Sequence, residues 1–223
     1  MAFLDHPSKH IRLGYQQPAQ GFYAQGGKRI FDVTVCLLLL PAVGGIVLLL
    51  WLIARSGAST GFFAHPRVGR NGVTFRCWKI RTMVENADHA LLEVFRENPA
   101  KQSEWALSRK LSNDPRILPV GKYLRQTSLD ELPQIWNVIR GDMSLVGPRP
   151  VTRSEMSLFG DGTNDYLAIR PGITGLWQVK ARRTPCYIRR VKLDRIYARN
   201  VTFSGDLRIL LWTLPVLFRP TGR

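Results

Sequence analysis

The sequence predicts a predominantly helical α+β domain carried on an N-terminal apolar segment that enters a membrane. Three observations carry that expectation. Val33 to Ala54 (VTVCLLLLPAVGGIVLLLWLIA) is a run of 22 residues without a charge, long enough at ~1.5 Å per residue to cross a hydrocarbon core. The rest of the chain strings together helix-like stretches bounded by cap and breaker residues, with only brief strand-like ones. Finally, 32 Lys+Arg against 16 Asp+Glu in 223 residues give a formal charge of +16. Such an excess points to an anionic partner, whether nucleic acid, anionic lipid or phosphorylated substrate. At 45% hydrophobic the chain is not broadly disordered.

Residues 1–27 are polar and irregular, with Pro7, Gly14, Pro18, Gly21, Gly26 and Gly27, and read as a mobile tail. The membrane segment follows over 28–55, with Lys28 and Arg29 before the apolar run and Arg55 after it. It is too long for a signal-peptide core and lacks a small-residue cleavage site. Pro41 near its middle, followed by Gly44-Gly45, favours a bend, and the flanking charges show no clear asymmetry. A spanning helix with a proline kink and a re-entrant helix both remain open from physics alone.

Residues 56–223 read as a globular domain. Val73 to Ile80 alternates like a strand, with Val73, Phe75 and Cys77 on one face. Asn86 opens a helix that runs to about Asn98, Pro99 breaks it, and a second helical stretch reaches about Leu111. Asn113-Asp114-Pro115 turns towards Val120–Leu124, and Glu131 to about Arg140 is helical up to Gly141. Met143 to Val146 is extended, and Gly147-Pro148-Arg149-Pro150 is a rigid turn. Lys180 to Arg199 holds eight basic residues and one acid, Asp194, interleaved with apolar positions. Leu207 to Phe218 is apolar but only 12 residues long, which suits an interfacial segment or a terminal core helix. Cys36, Cys77 and Cys186 form no C-x-x-C pair, and the four histidines are scattered. Zinc-ligand spacing is therefore missing, and unpaired thiols suit a reducing compartment.

Acids are scarce, so their clustering is informative. Asp130-Glu131 is the only directly adjacent acidic pair. Ser128 and Glu131 have capping-box spacing, which would put Asp130 in a first helical turn. Acids there commonly complement the helix dipole. A carboxylate held ionised in that place can equally act as a nucleophile or a metal ligand. Arg125 lies five residues earlier, and Arg149 sits between two prolines that stiffen its backbone, which suits an arginine aimed at a phosphate. The chain has no G-x-x-x-x-G-K-[ST], G-x-G-x-x-G or G-x-S-x-G signature, which argues against P-loop, Rossmann and serine-hydrolase chemistry.

Several stretches resemble the bacterial sugar transferase family, the small monotopic polyprenyl-phosphate phosphoglycosyl transferases. They are Lys110–Arg116, Val120–Arg125, Thr127–Gln134, Arg140–Pro150 and Arg170–Val179, and the likeness runs from about residue 28 to the C-terminus. The insert around 85–110 is similar to exopolysaccharide-initiating galactose- or glucose-1-phosphate transferases. The resemblance implies transfer of a sugar-1-phosphate from a UDP-sugar to undecaprenyl phosphate with release of UMP. It implies Asp130 as nucleophile through an aspartyl phosphosugar, with Glu131 its partner in metal binding or proton handling, and Asp130 and Glu131 as the Mg2+ ligands. It matches Arg125, Arg149 and Arg182 to substrate-binding arginines and Lys28-Arg29 to a phospholipid headgroup contact. It matches Pro41 to the break of a re-entrant helix at the cytoplasmic face of a bacterial inner membrane, with membrane-interface helices at the C-terminus. The competing expectation is a membrane-anchored, non-enzymatic protein that binds nucleic acid or anionic lipid through Lys180–Arg199. The transferred sugar and the oligomeric state, a homodimer included, stay open.

Overall fold

The protein is described by a computed structural model covering residues 21–57, 60–108, 111–181 and 186–217. A π-helical turn over Tyr23–Gly27 leads straight into α1 (Lys28–Gly57), so the chain is helical before the boundary read after residue 27. Pro41 lies inside α1, which continues on both sides of it. Asp32, Cys36, Leu50 and Ala54 are buried, and Val43 and Val47 are half-buried. Those positions recur at helical spacing, so one stripe of α1 faces the domain along its length. The opposite face is apolar and exposed, most of all at Leu38, which is 75% exposed.

Both halves of α1 join the same globular body. Cys36 packs in a core with Phe75, Cys77, Ile135, Val138 and Val146, whereas Leu50 and Ala54 pack with Ile80 and Leu124. Polar groups lock the first half. Asp32 accepts from Ser144 Oγ at 2.7 Å and Leu145 N at 3.2 Å. Asp206, fully buried, accepts from Lys28 Nζ at 2.5 Å and from the hydroxyls of Tyr23 and Tyr197, each at 2.7 Å. Buried carboxylates need such partners to be tolerated.

β1 (Phe62–Val68) pairs antiparallel with β2 (Thr74–Ile80), Phe62 opposite Ile80. The alternation expected of β2 holds at Phe75 and Cys77, which are buried. Val73 precedes the strand and is 64% exposed. β1 escaped the sequence reading because His65-Pro66 interrupts its pattern, a proline an edge strand tolerates. α2 (Ala87–Glu97) and α3 (Pro99–Ser108) follow, with Pro99 at the first position of α3, where a missing N–H costs nothing.

Next come α4 (Pro119–Thr127), a 3-10 turn over Leu129–Glu131, and α5 (Gln134–Arg140). β3 (Ser144–Val146) pairs in parallel with β4 (Gly172–Thr174). Between them lie α6 (Arg153–Met156), which carries a capping box of Thr152 and Glu155, and α7 (Thr163–Ala168). α8 (Leu176–Lys180), α9 (Tyr187–Arg199) and α10 (Phe203–Leu217) complete the described chain.

The basic stretch around α9 is not one solvated face. Arg190 and Asp194 are buried, and Arg195 and Arg199 pair with Asp165 at 3.0 and 2.9 Å. α10 has two sides: Asp206 and Ile209 enter the core, while Leu207, Leu211, Trp212 and Leu214 are exposed. Each alternative read for this helix thus describes one of its faces. These side chains and those on the outer face of α1 are apolar groups left exposed, the kind an interfacial segment presents.

Candidate active site

The segment bearing Asp130 is shaped by two local features. Gly121 brings α4 against the backbone after β2, where a Cβ would come within 2.2 Å of Thr82 O. Only a glycine permits that approach, which lets Leu118 N donate to Thr82 O at 3.0 Å and Arg125 Nε to Thr82 Oγ1 at 2.9 Å. Ser128 then takes a left-handed conformation (φ 60°), ending α4 and turning the chain into the 3-10 turn. The capping box expected from Ser128 and Glu131 does not form, since the Ser128 side chain makes no cap hydrogen bond.

Glu131 is engaged instead by Lys79, whose Nζ lies 2.6 Å from Oε1. The same ammonium is 3.7 Å from Asp130 Oδ2. Asp130 is 7% exposed. Burial pushes its carboxyl above the usual range; Lys79 pulls it back, Glu131 adds to the rise and Arg125 opposes it. The buried Cys77 thiol, raised by desolvation, feels the charges of Lys79, Glu131, Arg67 and Arg149. Along the β1–β2 hairpin Cys77 lies between Lys79, opposite Phe63, and Arg67, opposite Phe75.

Arg149 is half-buried with no ion-pair partner among the described residues. Its carbonyl accepts from Arg190 Nη2 at 3.3 Å, and the neighbouring Pro148 is fully buried. The stiffness read from Gly-Pro-Arg-Pro is thus reinforced by packing. Arg182 falls in residues 182–185, outside those described.

Lys28 and Arg29 are held by the protein itself, Lys28 by Asp206 and Arg29 by the carbonyls of Val138 and Ile139. They line a cavity of about 500 Å3 with Asp32, Arg70 and Arg170, and its lining includes neither Asp130 nor Glu131.

Lys79 and Asn137 were missed from sequence. Lys79 shares a strand face with Phe75 and Cys77, and a lysine ending an inward-facing row was the available signal. Asn137, fully buried, donates to Arg76 O at 2.8 Å and accepts from Trp78 N at 3.0 Å, tying α5 to β2 beside Lys79. As to a metal, the described residues hold no cluster of three or more His, Cys, Asp or Glu side chains. The adjacent carboxylates of Asp130 and Glu131 fit the sparser mode of Mg2+, which takes one or two carboxylates and completes its shell with water and substrate phosphate.

A buried carboxylate beside a lysine, with arginines near it and an apolar helix facing outward, defines a membrane-associated enzyme suited to phosphate esters. The family follows from comparison: the chain belongs to the bacterial sugar transferase family, whose profile matches residues 23–220. It is therefore a phosphoglycosyl transferase. It is 47% identical over 196 residues to the exopolysaccharide production protein ExoY of Sinorhizobium fredii, covering 87% of both chains. It is 44% identical to the UDP-galactose-lipid carrier transferase of Erwinia amylovora. Identity to the undecaprenyl-phosphate galactose phosphotransferase of Salmonella typhimurium is 42%. For these last two the match covers 87% of this chain and 41% of theirs.

Proposed function

We propose that the protein moves a sugar-1-phosphate from a UDP-sugar onto undecaprenyl phosphate, the first membrane step of exopolysaccharide assembly. The names of the Erwinia and Salmonella relatives support the donor and acceptor classes, and the ExoY relative supports the process. The observation that carries the chemistry is the buried Asp130 carboxylate 3.7 Å from the Lys79 ammonium, with the Arg125 charge also favouring its ionised form. In this reading Asp130 attacks the phosphorus that bears the sugar, and the P–O bond to UMP breaks as UMP leaves with the electron pair. An oxygen of undecaprenyl phosphate then attacks the same phosphorus, freeing the Asp130 carboxylate and giving the polyprenyl diphosphate sugar. Arg125, Arg149 and Arg182 bind the phosphates, and Lys79 keeps Asp130 ionised. Asp130 and Glu131 would hold Mg2+, which when bound would neutralise the diphosphate charge.

The topology proposed is re-entrant, with α1 entering and leaving by the cytoplasmic face of a bacterial inner membrane. It is supported by the contacts of Arg29 and Ala54, near opposite ends of α1, with one domain. A helix crossing ~30 Å of hydrocarbon would carry one of those ends away from its partners. Burial of Arg190 and pairing of Arg195 and Arg199 weigh against a nucleic-acid surface on α9.

The test is UMP release by the full chain with a panel of UDP-sugars, undecaprenyl phosphate and Mg2+. Asp130→Asn is expected to abolish release, and retained activity would remove Asp130 as the nucleophile.

A further inference from the structure

Arg29 stands one residue from Lys28 at the start of the membrane helix, yet its side chain points into the domain. Its Nη1 donates to Val138 O at 2.5 Å and its Nη2 to Ile139 O at 2.8 Å. Both carbonyls belong to the last turn of α5, where C=O groups run short of intrahelical donors and a cation is favoured by the helix dipole; Val138 O also accepts from the capping Gly141 N at 3.0 Å. Arg170 Nε donates to Gly141 O, just past the helix end, at 2.8 Å. Gly141 itself is the left-handed C-cap (φ 94°). Two guanidinium groups therefore close the end of a helix only 7 residues long.

The other end of that helix leads to the acidic pair. Leu132 N donates to Leu129 O and Ile135 N to Leu132 O, so the 3-10 turn and α5 are joined by backbone hydrogen bonds. The second half of α1 meets this region too: Val47, Leu50, Trp51 and Ala54 cluster with Leu124, Leu129 and Leu132. The membrane helix thus grips the Asp130-bearing segment at both ends, by a fork at one and by apolar packing at the other.

We propose that Arg29 is a positioning residue: its fork, fixed on the membrane helix, holds the end of α5 and so sets the placement of Asp130 and Glu131. Seating of α1 is thereby transmitted to the reacting carboxylate. A lysine carries the same charge but cannot make two parallel donations, which separates this role from a contact with lipid headgroups, where charge suffices.

The experiment uses the full chain in vesicles of phosphatidylethanolamine and phosphatidylglycerol, comparing wild type, Arg29→Lys and Arg29→Gln. Arg29→Lys should sediment with vesicles as wild type does. Amide hydrogen exchange over residues 129–141 should quicken by about tenfold or more, the scale of a lost charge-assisted hydrogen bond. With UDP-galactose as donor, kcat should fall about ten- to a hundredfold while KM stays within about twofold. Arg29→Gln should behave alike in exchange and turnover.

Wild-type exchange and turnover in Arg29→Lys, with vesicle binding lost in Arg29→Gln, would make Arg29 a headgroup contact and overturn the proposal. Faster exchange with unchanged kcat would overturn it as well. The turnover arm rests on Asp130 as the reacting group. If no donor in the panel is turned over by wild type, that reading fails, while the exchange arm still decides whether Arg29 braces the segment. Should Arg29→Lys not fold, Arg170→Gln removes one donation at Gly141 and leaves α1 intact. Faster exchange confined to the end of α5 supports the brace, and unchanged exchange there overturns it.

Discussion

In the proposed reaction, Lys79 and Asp130 set the electrostatics between them. Asp130 must be ionised to attack phosphorus, and burial works against that while the ammonium 3.7 Å away works for it. Turnover therefore fades as pH falls through the Asp130 pKa, since the protonated carboxyl is no nucleophile. Lys79→Met removes the largest group opposing desolvation and leaves Glu131, which also raises Asp130. The acid limb of the kcat–pH profile is expected to move to higher pH in Lys79→Met, and a limb that stays in place would exclude this role. Asp130 and Glu131 were legible in the sequence because only 16 acids occur and just two are adjacent. Lys79 was not, because its place at the end of an inward-facing strand row does not show that its partners lie about fifty positions further on. The same long-range pair explains the failed capping box: spacing alone cannot reveal that Glu131 is engaged by Lys79.

Elements were legible in proportion to their length and punctuation. α2 matched its expected range to within a residue at either end, because Asn86 and Pro99 bracket an amphipathic run. The pairing of β3 with β4 was not foreseeable, since two three-residue strands carry no period and their register depends on residues 28 apart. The α4 helix illustrates how such contacts govern the site. Its Gly121 sits where any side chain would strike Thr82 O, and Thr82 is also the partner of Arg125. Gly121→Ala must push α4 outward or strain it, at a cost of about 2–3 kcal/mol. For a domain of this size the thermal midpoint should drop roughly 5–10 °C. Sugar-phosphate transfer measured at a temperature where the variant is folded should also fall, because Arg125 moves with the helix. A midpoint equal to wild type would show that the close approach is not required.

At the scale of the whole molecule, the apolar run announced a membrane but not the way it is met. Composition left spanning and re-entrant helices level; the pattern of burial along α1 supports the re-entrant topology proposed above. Asp32 and Cys36 near one end and Leu50 and Ala54 near the other are buried against one domain, while Leu37 to Leu40 beside Pro41 stay exposed. α10 adds Leu211, Trp212 and Leu214 to the exposed apolar surface. In the proposed topology the protein rests on one leaflet, with both ends of α1 on the side of the candidate active site. Single cysteines at Gln25 and Thr60, both exposed, report this directly once Cys186, the exposed native thiol, is replaced. Cys36 and Cys77 are buried and should stay silent in folded protein. In inside-out membrane vesicles a membrane-impermeant maleimide should label both Gln25→Cys and Thr60→Cys, and in right-side-out vesicles neither. Labelling of the two positions from opposite faces would mean that α1 spans. The packing of Leu50 and Ala54 beside the segment that carries Asp130 would then have to be abandoned along with the re-entrant topology.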